Sequence, residues 1–413
     1  MNETTFPLEI HDMAYTGYGV GRCDGKAIFV PYVVPGDQIT AVVKQDKGRF
    51  AFARAASIVQ PADGRIEPRC EHFGVCGGCQ WQMAAYEAQI AYKQHIVADQ
   101  LARIGGIRDA VVHPTIASPQ PYQYRSHVTF NVDANGRLVF IQDDERTPLA
   151  IHICHIIRPE LLEIFEELRD HNFGGAERVR LQVGSDPADR LVAITPLGRG
   201  ARVELPLVNA AISLLDGDRS KAVRGSGAVT YTIKGKRYRV TAGSFFQVHL
   251  DQAARLVELV IAALGGTRIG HALDLYSGVG LFTAFLLDHA EQVTAVELYA
   301  PAVRDARANL PAEARVELIT GAIEAVLPGL SETVDAAVID PPRAGMDAKA
   351  LDALIRLAPA KIVYVSCDPS TLARDAKRLI AGGWRLIDAQ PVDMFPQTFH
   401  IETVAVFEKD LAQ

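Results

Sequence analysis

Over residues 5–59 short apolar runs alternate with turn residues. The stretches 17–22 (GYGVGR), 27–37 (AIFVPYVVPGD) and 39–44 are punctuated by glycine and proline and carry apolar positions at a period near two, which predicts a small β-barrel. Residues 63–79 show no periodicity and read as a loop. Residues 83–104 then place Ile90, Ile96, Val97, Leu101 and Ile104 at helical spacings. From 122 to 240 strand and helix patterns alternate, predicting a second domain of mixed type. From about residue 243 the alternation becomes a regular βαβ series ending in a strand near 403–407, which implies a largely parallel sheet with helices on both faces. The expected fold class is α/β, divided as 1–60, 61–240 and 241–413, with the helix at about 83–104 packing on the last part. No internal repeat or low-complexity segment is present.

Length agrees with this division, since 413 residues suit two or three domains at roughly 150 residues each. Hydrophobic residues make up 48% and charged residues 22%, and no apolar run approaches the roughly 18–20 residues of a membrane span. The start, MNETTFPLEI, lacks a basic region ahead of an apolar one, so no secretory signal is read and a cytoplasmic location is expected. A net charge of −7 argues against a polyanion partner for the chain as a whole, but local charge decides binding. Two basic groups occur, Lys44, Lys47, Arg49 and Arg54, then Lys234, Lys236, Arg237 and Arg239. Each is equally readable as a solvated face or as a nucleic-acid contact.

The chemistry concentrates in the last third. Residues 271–282 (HALDLYSGVGLF) run from an apolar strand through a glycine turn into a helix, and Gly278 and Gly280 allow close backbone approach to a ligand. The next strand ends in Glu297, where a carboxylate can hold ribose hydroxyls. The third glycine of a dinucleotide grip is missing, which favours S-adenosylmethionine. A further strand delivers Asp340 ahead of Pro341, Pro342 and Arg343. In a doubly wound sheet these strand ends share one crevice.

Residues 361–375 (KIVYVSCDPSTLARD) set Cys367 between a buried strand and a helix start. The partial positive charge at that helix end is expected to favour thiolate. Its polar neighbours Ser366, Asp368 and Pro369 argue against a core cysteine. Residues 395–407 (FPQTFHIETVAVF) place Glu402 in an apolar strand, where a carboxylate is either paired or functional and burial raises its pKa toward that of a base. A thiolate and a base are what methylation at C5 of uracil requires. The thiolate adds to C6, C5 takes the methyl group, and the base removes the C5 proton so that the thiolate can leave.

The set DLYSGVG, DPPRAG, VSCDPSTLARD and FPQTFHIE resembles the RNA uracil-5-methyltransferase family, which contains tRNA and 23S rRNA enzymes; the likeness runs nearly the whole chain. The resemblance implies Cys367 as nucleophile and Glu402 as proton acceptor. It implies Gln247, Tyr276, Glu297 and Asp340 as cofactor or substrate contacts, and the first 60 residues as a TRAM domain, an OB-like RNA-binding barrel. The fold then expected is a Rossmann-like S-adenosylmethionine methyltransferase domain behind a TRAM barrel and a central iron–sulfur α/β domain. His249 and Leu281 depart from the family, whose members often carry asparagine and a polar residue there.

Six cysteines stand at 23, 70, 76, 79, 154 and 367, and in a cytosolic chain such clustering points to metal or chemistry rather than disulfides. Cys70, Cys76 and Cys79, with Cys154 downstream, give a three-plus-one layout that four-thiolate zinc or a 4Fe–4S cluster can use. Zinc ribbons pair their cysteines two by two. The family resemblance favours the 4Fe–4S cluster, in a structural or RNA-positioning role. Cys23 reads as a strand residue.

The expected activity is uridine C5 methylation of RNA, with 23S rRNA favoured over tRNA because a TRAM barrel plus cluster is similar to the rRNA members. No obligate protein partner is expected, and the chain reads as a monomer. Amino-group methylation would want an aromatic residue where Arg343 stands and no thiol. A non-catalytic iron–sulfur RNA-binding protein would not need Cys367 and Glu402.

Overall fold

The structure, a computed structural model, describes residues 5–198, 200–217, 219–266 and 268–410. Strands Thr5–Met13, Gly19–Cys23, Lys26–Val30, Gln38–Asp46 and Phe50–Gln60 close into a barrel in the order first, second, third, fifth, fourth. Leu8, Ile10, Ile28, Val30, Ile39 and Ala51 fill it, the inward half of the period-two alternation. Lys44, Lys47, Arg49 and Arg54 are exposed on its last two strands and the turn between them.

After a stretch without strand or helix comes the helix Tyr86–Gln100, which continues as a π turn, Leu101–Gly105, and stops at Gly106 with φ 73°. Its buried Ile96 and Val97, with Leu101, share a core with Leu372, Ala373 and Ala376 of the catalytic domain. The helix also holds the segment ahead of Glu402 from behind. Lys93 forms an ion pair with Asp393 at 2.5 Å, both side chains fully buried. Tyr86 Oη donates to the same carboxylate at 2.6 Å, and Gln89 exchanges two hydrogen bonds with Gln397. Lys93→Met, which leaves Asp393 buried without its counter-charge, should cost about 3–5 kcal/mol. The loss would be read as a lowered urea midpoint, with much of it recovered when Asp393→Leu is added. An unchanged midpoint in the single variant would show that the pair carries no stability.

The central part is a seven-stranded sheet built from His127–Val132, Leu138–Ile141, Pro148–Leu149, Ala176–Val183, Arg190–Pro196, Ala211–Asp216 and Arg219–Arg224. The single longer helix here, Pro159–Leu168, covers one face through Leu161, Ile164 and Phe165. The expected alternation of strands and helices over 122–240 is therefore corrected to a mostly β arrangement. Short apolar runs buried at successive positions, as over residues 191–194, cannot be told from buried helix segments by periodicity. The hairpin Ala228–Ile233 and Lys236–Thr241 stands apart from this sheet and buries Val229, Tyr231, Tyr238 and Val240 in the catalytic core. Three of its basic residues are tethers. Lys234 pairs with Glu258 at 2.5 Å, Lys236 with Asp288 at 2.7 Å and Arg239 with Asp305 at 2.6 Å. These three side chains are salt-bridged on the surface of the catalytic domain.

The catalytic sheet takes Ile269–Leu275, Ala290–Glu297, Val316–Thr320, Ala336–Ile339, Lys361–Ser366, Trp384–Val392 and Glu402–Lys409 in the order third, second, first, fourth, fifth, seventh, sixth. Glu402–Lys409 runs antiparallel to both of its neighbours, Lys361–Ser366 and Trp384–Val392. Strands such as Ala336–Ile339 are buried at every position, as expected of a sheet covered on both faces. Among the described residues no helix is long and apolar enough to cross a membrane.

Candidate active site

The carboxyl ends of the parallel strands gather the expected acids. Glu297 closes Ala290–Glu297, while Tyr276, Asp340 and Cys367 each follow directly on the strands Ile269–Leu275, Ala336–Ile339 and Lys361–Ser366. Because the strand Glu402–Lys409 runs the other way, it is its beginning that lies at this edge. Ser366 pairs with Thr403, which sets Cys367 and Glu402 side by side across two neighbouring strands. Glu402 is 2% exposed and its Oε1 has no hydrogen-bond partner among the described residues. Burial first, then Asp340, raises its carboxyl well above the usual range, while Arg343 opposes the rise.

Cys367 is half-buried, and its thiol is pushed up to about 12 by burial, then by Glu402 and Asp340. The expectation of a thiolate favoured by the helix end is corrected here. The helix Pro369–Ala381 is capped by Asp368, whose Oδ1 accepts from the backbone N–H groups of Ser370 and Thr371, so a carboxylate already occupies that end. The other oxygen of Asp368 accepts from Tyr15 Oη at 2.8 Å, a contact reaching in from the barrel. A cleft of about 630 Å³ between barrel and catalytic domain, lined by Tyr18, Tyr32, Gln80, Arg343 and His400, opens beside these groups.

On the glycine turn, Glu297 accepts from Gly278 N–H at 3.0 Å and from Tyr299 N–H at 2.6 Å. Gly278 and Gly280 take φ of 56° and 87°, left-handed values that favour glycine, and a Cβ at Gly278 would meet only open space. Tyr276 carries a φ of 65° without being glycine, which marks a strained backbone at the same turn. Asp340 is pushed up to about 7 by desolvation and by Asp274. Gln247 is buried on residues 243–249, ahead of the helix Leu250–Leu264, and its side chain bonds to none of the groups above. His249 is packed as a core residue, stacked on Tyr124 at 5.0 Å and bonded to Ser118 Oγ at 2.7 Å, with its ring held neutral by burial. Leu281 begins the helix Leu281–Leu286 inside the core.

Two participants were missed. Asp274 is fully buried, with Oδ2 bonded to Thr283 Oγ1 at 2.5 Å, Oδ1 without a hydrogen-bond partner among the described residues, and a carboxyl raised to about 7 by burial. The signal that singled out Glu402, an acid inside an apolar strand, is present there too. Tyr15 gave no signal, since nothing in a barrel loop announces a contact more than 350 residues away.

Cys70, Cys76, Cys79 and Cys154 line a single cavity of about 380 Å³. Among the described residues, no three His, Cys, Asp or Glu side chains are drawn together closely enough to hold a metal ion as they stand. Burial raises the thiols of Cys79 and Cys154 to about 12 and about 11. Cys23 is a barrel-strand residue.

The sheet order and the acids at its strand ends define an α/β methyltransferase, and a family model described as Methyltransferase small domain matches residues 237–363. A second, described as tRNA (Uracil-5-)-methyltransferase, matches residues 330–410, the segment holding Asp340, Cys367 and Glu402. A protein of Gloeobacter violaceus named as an uncharacterized RNA methyltransferase is 32% identical, over 98% of this chain and 96% of its own. One of the same description from Streptomyces avermitilis is 35% identical over 98% of each chain. The crystal structure of Pyrococcus abyssi tRNA (uracil-54, C5)-methyltransferase in complex with S-adenosyl-L-homocysteine superposes with a TM-score of 0.72 and 25% identity, covering 97% of this chain and 99% of that one. The chain belongs to the RNA uracil-5-methyltransferase family.

Proposed function

We propose that this protein methylates C5 of a uridine in RNA, with S-adenosylmethionine as donor and a covalent Cys367–C6 adduct on the way. The observation that carries the reading is a cysteine set beside a buried, unpartnered glutamate at the edge where Asp340 and Glu297 end their strands. The unfilled oxygen of Asp274, the open left-handed glycine turn and the two strand-end acids fit a donor of this kind. Glu297 would hold ribose hydroxyls, with Asp340, Tyr276 and Gln247 around the rest. When bound, the cofactor supplies an electrophilic methyl carbon on a sulfonium. Cys367 gives its proton to solvent and its sulfur bonds to C6, the C5–C6 double bond's electron pair moves toward C5, and C5 takes the methyl group as the donor's S–CH3 bond breaks to leave a neutral thioether. Glu402, ionised for this step, accepts the C5 proton, the C6–sulfur bond breaks and the C5–C6 double bond returns.

The four cavity cysteines are a donor set of the kind that a 4Fe–4S cluster or a zinc ion takes, and the cluster is preferred on the three-plus-one spacing of the sequence. No step of the reaction uses it; it would hold residues 70–79 against the central sheet. Cys154→Ser should bleach anaerobically purified protein and lower its melting temperature, whereas stoichiometric zinc without iron would exclude the cluster.

The barrel fits a TRAM-type RNA-binding role, with its exposed basic strands. Ribosomal RNA is the substrate read from barrel and cluster together. A tRNA substrate is the second reading, favoured because the Pyrococcus tRNA enzyme matches 97% of this chain, barrel included. Nucleoside mass spectrometry of 23S rRNA and tRNA transcripts incubated with the protein and donor should find 5-methyluridine in the rRNA. Its appearance in tRNA alone would establish the second reading, and its absence from both would refute uridine methylation.

A further inference from the structure

The central sheet has one apolar face and one that is not. Val128, Phe130, Val179, Leu181, Val192 and Ile194 turn toward the helix Pro159–Leu168. The opposite face carries the cross-strand pairs His127–Gln182, Thr129–Arg180 and Asn131–Arg178. A groove of about 970 Å³ lies there, lined by Arg178, Arg180, Arg219 and Lys221 and by Phe245, which is 62% exposed. Glu177 and Asp216 also line it, and Glu177 pairs with Arg178 at 3.3 Å. A neighbouring groove shares Arg219 and Lys221 and runs on to Arg304 and Glu297. The basic track thus leads from the central sheet to the cofactor end of the catalytic sheet.

Arg180 is the unusual member. Its Nε and Nη2 are shielded from solvent, yet neither has a hydrogen-bond partner among the described residues, and Arg180 has no acidic partner there. Leaving guanidinium donors buried and unmade is costly. A fold that keeps such a group at the wall of a groove holds it ready for an anion from outside. A guanidinium is a permanent cation that donates to phosphate oxygens, and the other cations suit the adjoining phosphates of a chain. The chain as a whole is negative, at −7, so this positive groove is a local feature.

We propose that the polar face of the central sheet is an RNA-backbone site, in which Arg180 meets one phosphodiester from the groove wall while Arg219 and Lys221 hold its neighbours along the track toward Glu297. This deepens the RNA reading above and rests on it only in taking RNA as the ligand. The test reads binding rather than turnover, so it stands even if the methylated base is not uridine.

The probe is a short fluorescein-labelled RNA stem-loop, titrated by anisotropy at several salt concentrations with the full-length holoprotein. Each phosphate contact removed should lower the slope of log affinity against log salt by roughly 0.7–0.9. Arg219→Ala with Lys221→Ala should therefore flatten the slope by roughly twice that amount, and Arg180→Met by about one contact. Arg180→Met removes a buried unpaired charge, so its melting temperature should hold or rise, which separates lost binding from lost folding. The same stem-loop with neutral methylphosphonate linkages should bind all forms alike. Unchanged slopes in both variants would overturn the proposal. So would a loss of S-adenosylmethionine affinity with RNA binding intact, which would assign the groove to the cofactor's carboxylate.

Discussion

A Glu402→Gln enzyme should stop after methyl transfer, still bonded to its RNA. Gln keeps the shape of the side chain but cannot accept a proton. The pocket offers little substitute, because Glu402 is buried and its Oε1 has no partner. With the C5 proton in place the thiolate cannot be expelled, so a methylated protein–RNA adduct should accumulate and survive denaturing electrophoresis. Slow removal by water would make trapping partial. Adding Cys367→Ala should abolish the band, since no thioether can then form. The nearest competitor for the role is Asp340, whose carboxyl is also raised and which interacts with Glu402. Normal release of product by Glu402→Gln, with adduct instead from Asp340→Asn, would move the base to Asp340.

Cys367→Ala should lower methylation by about 10⁴-fold or more, the scale on which loss of a covalent nucleophile acts. Binding of S-adenosylmethionine, followed by calorimetry, should stay within about twofold, because a difference of that size is under 0.5 kcal/mol and the thiol is assigned to the base. Retention of a substantial rate would remove the covalent step from the mechanism.

Much of this was legible in the chain because the informative residues break a local pattern. The barrel showed in the alternation of residues 5–59, and the parallel sheet in buried runs such as Lys361–Ser366. Glu402 stood out as an acid among apolar neighbours, and Asp274 carried the same mark without being given a role. What could not be read depends on side chains meeting from distant segments. The ionisation of Cys367 was misjudged because burial, then the carboxyls of Glu402 and Asp340 brought in from other strands, raise its thiol, none of which the helix start at 369 announces. The basic group at 234–239 could not be assigned until Glu258, Asp288 and Asp305 were seen opposite it. The central domain was misread as alternating because runs buried at successive positions, such as 191–194, cannot be told from buried helix segments by periodicity. Tyr15, which ties the barrel to Asp368 beside Cys367, belongs to the same class of long-range contact.

The central claim is that the methyl group replaces the hydrogen on C5 of a uridine. The direct measurement uses transcripts of the candidate RNAs made with uridine tritiated at C5 and a donor carrying a carbon-14 methyl group, with tritium release to water and methyl uptake followed together. The account predicts release and uptake in equal amounts by the wild-type enzyme, with uptake outrunning release in Glu402→Gln. Methyl uptake by the wild type with the tritium retained in the RNA would contradict it, because the methyl would then sit elsewhere than C5.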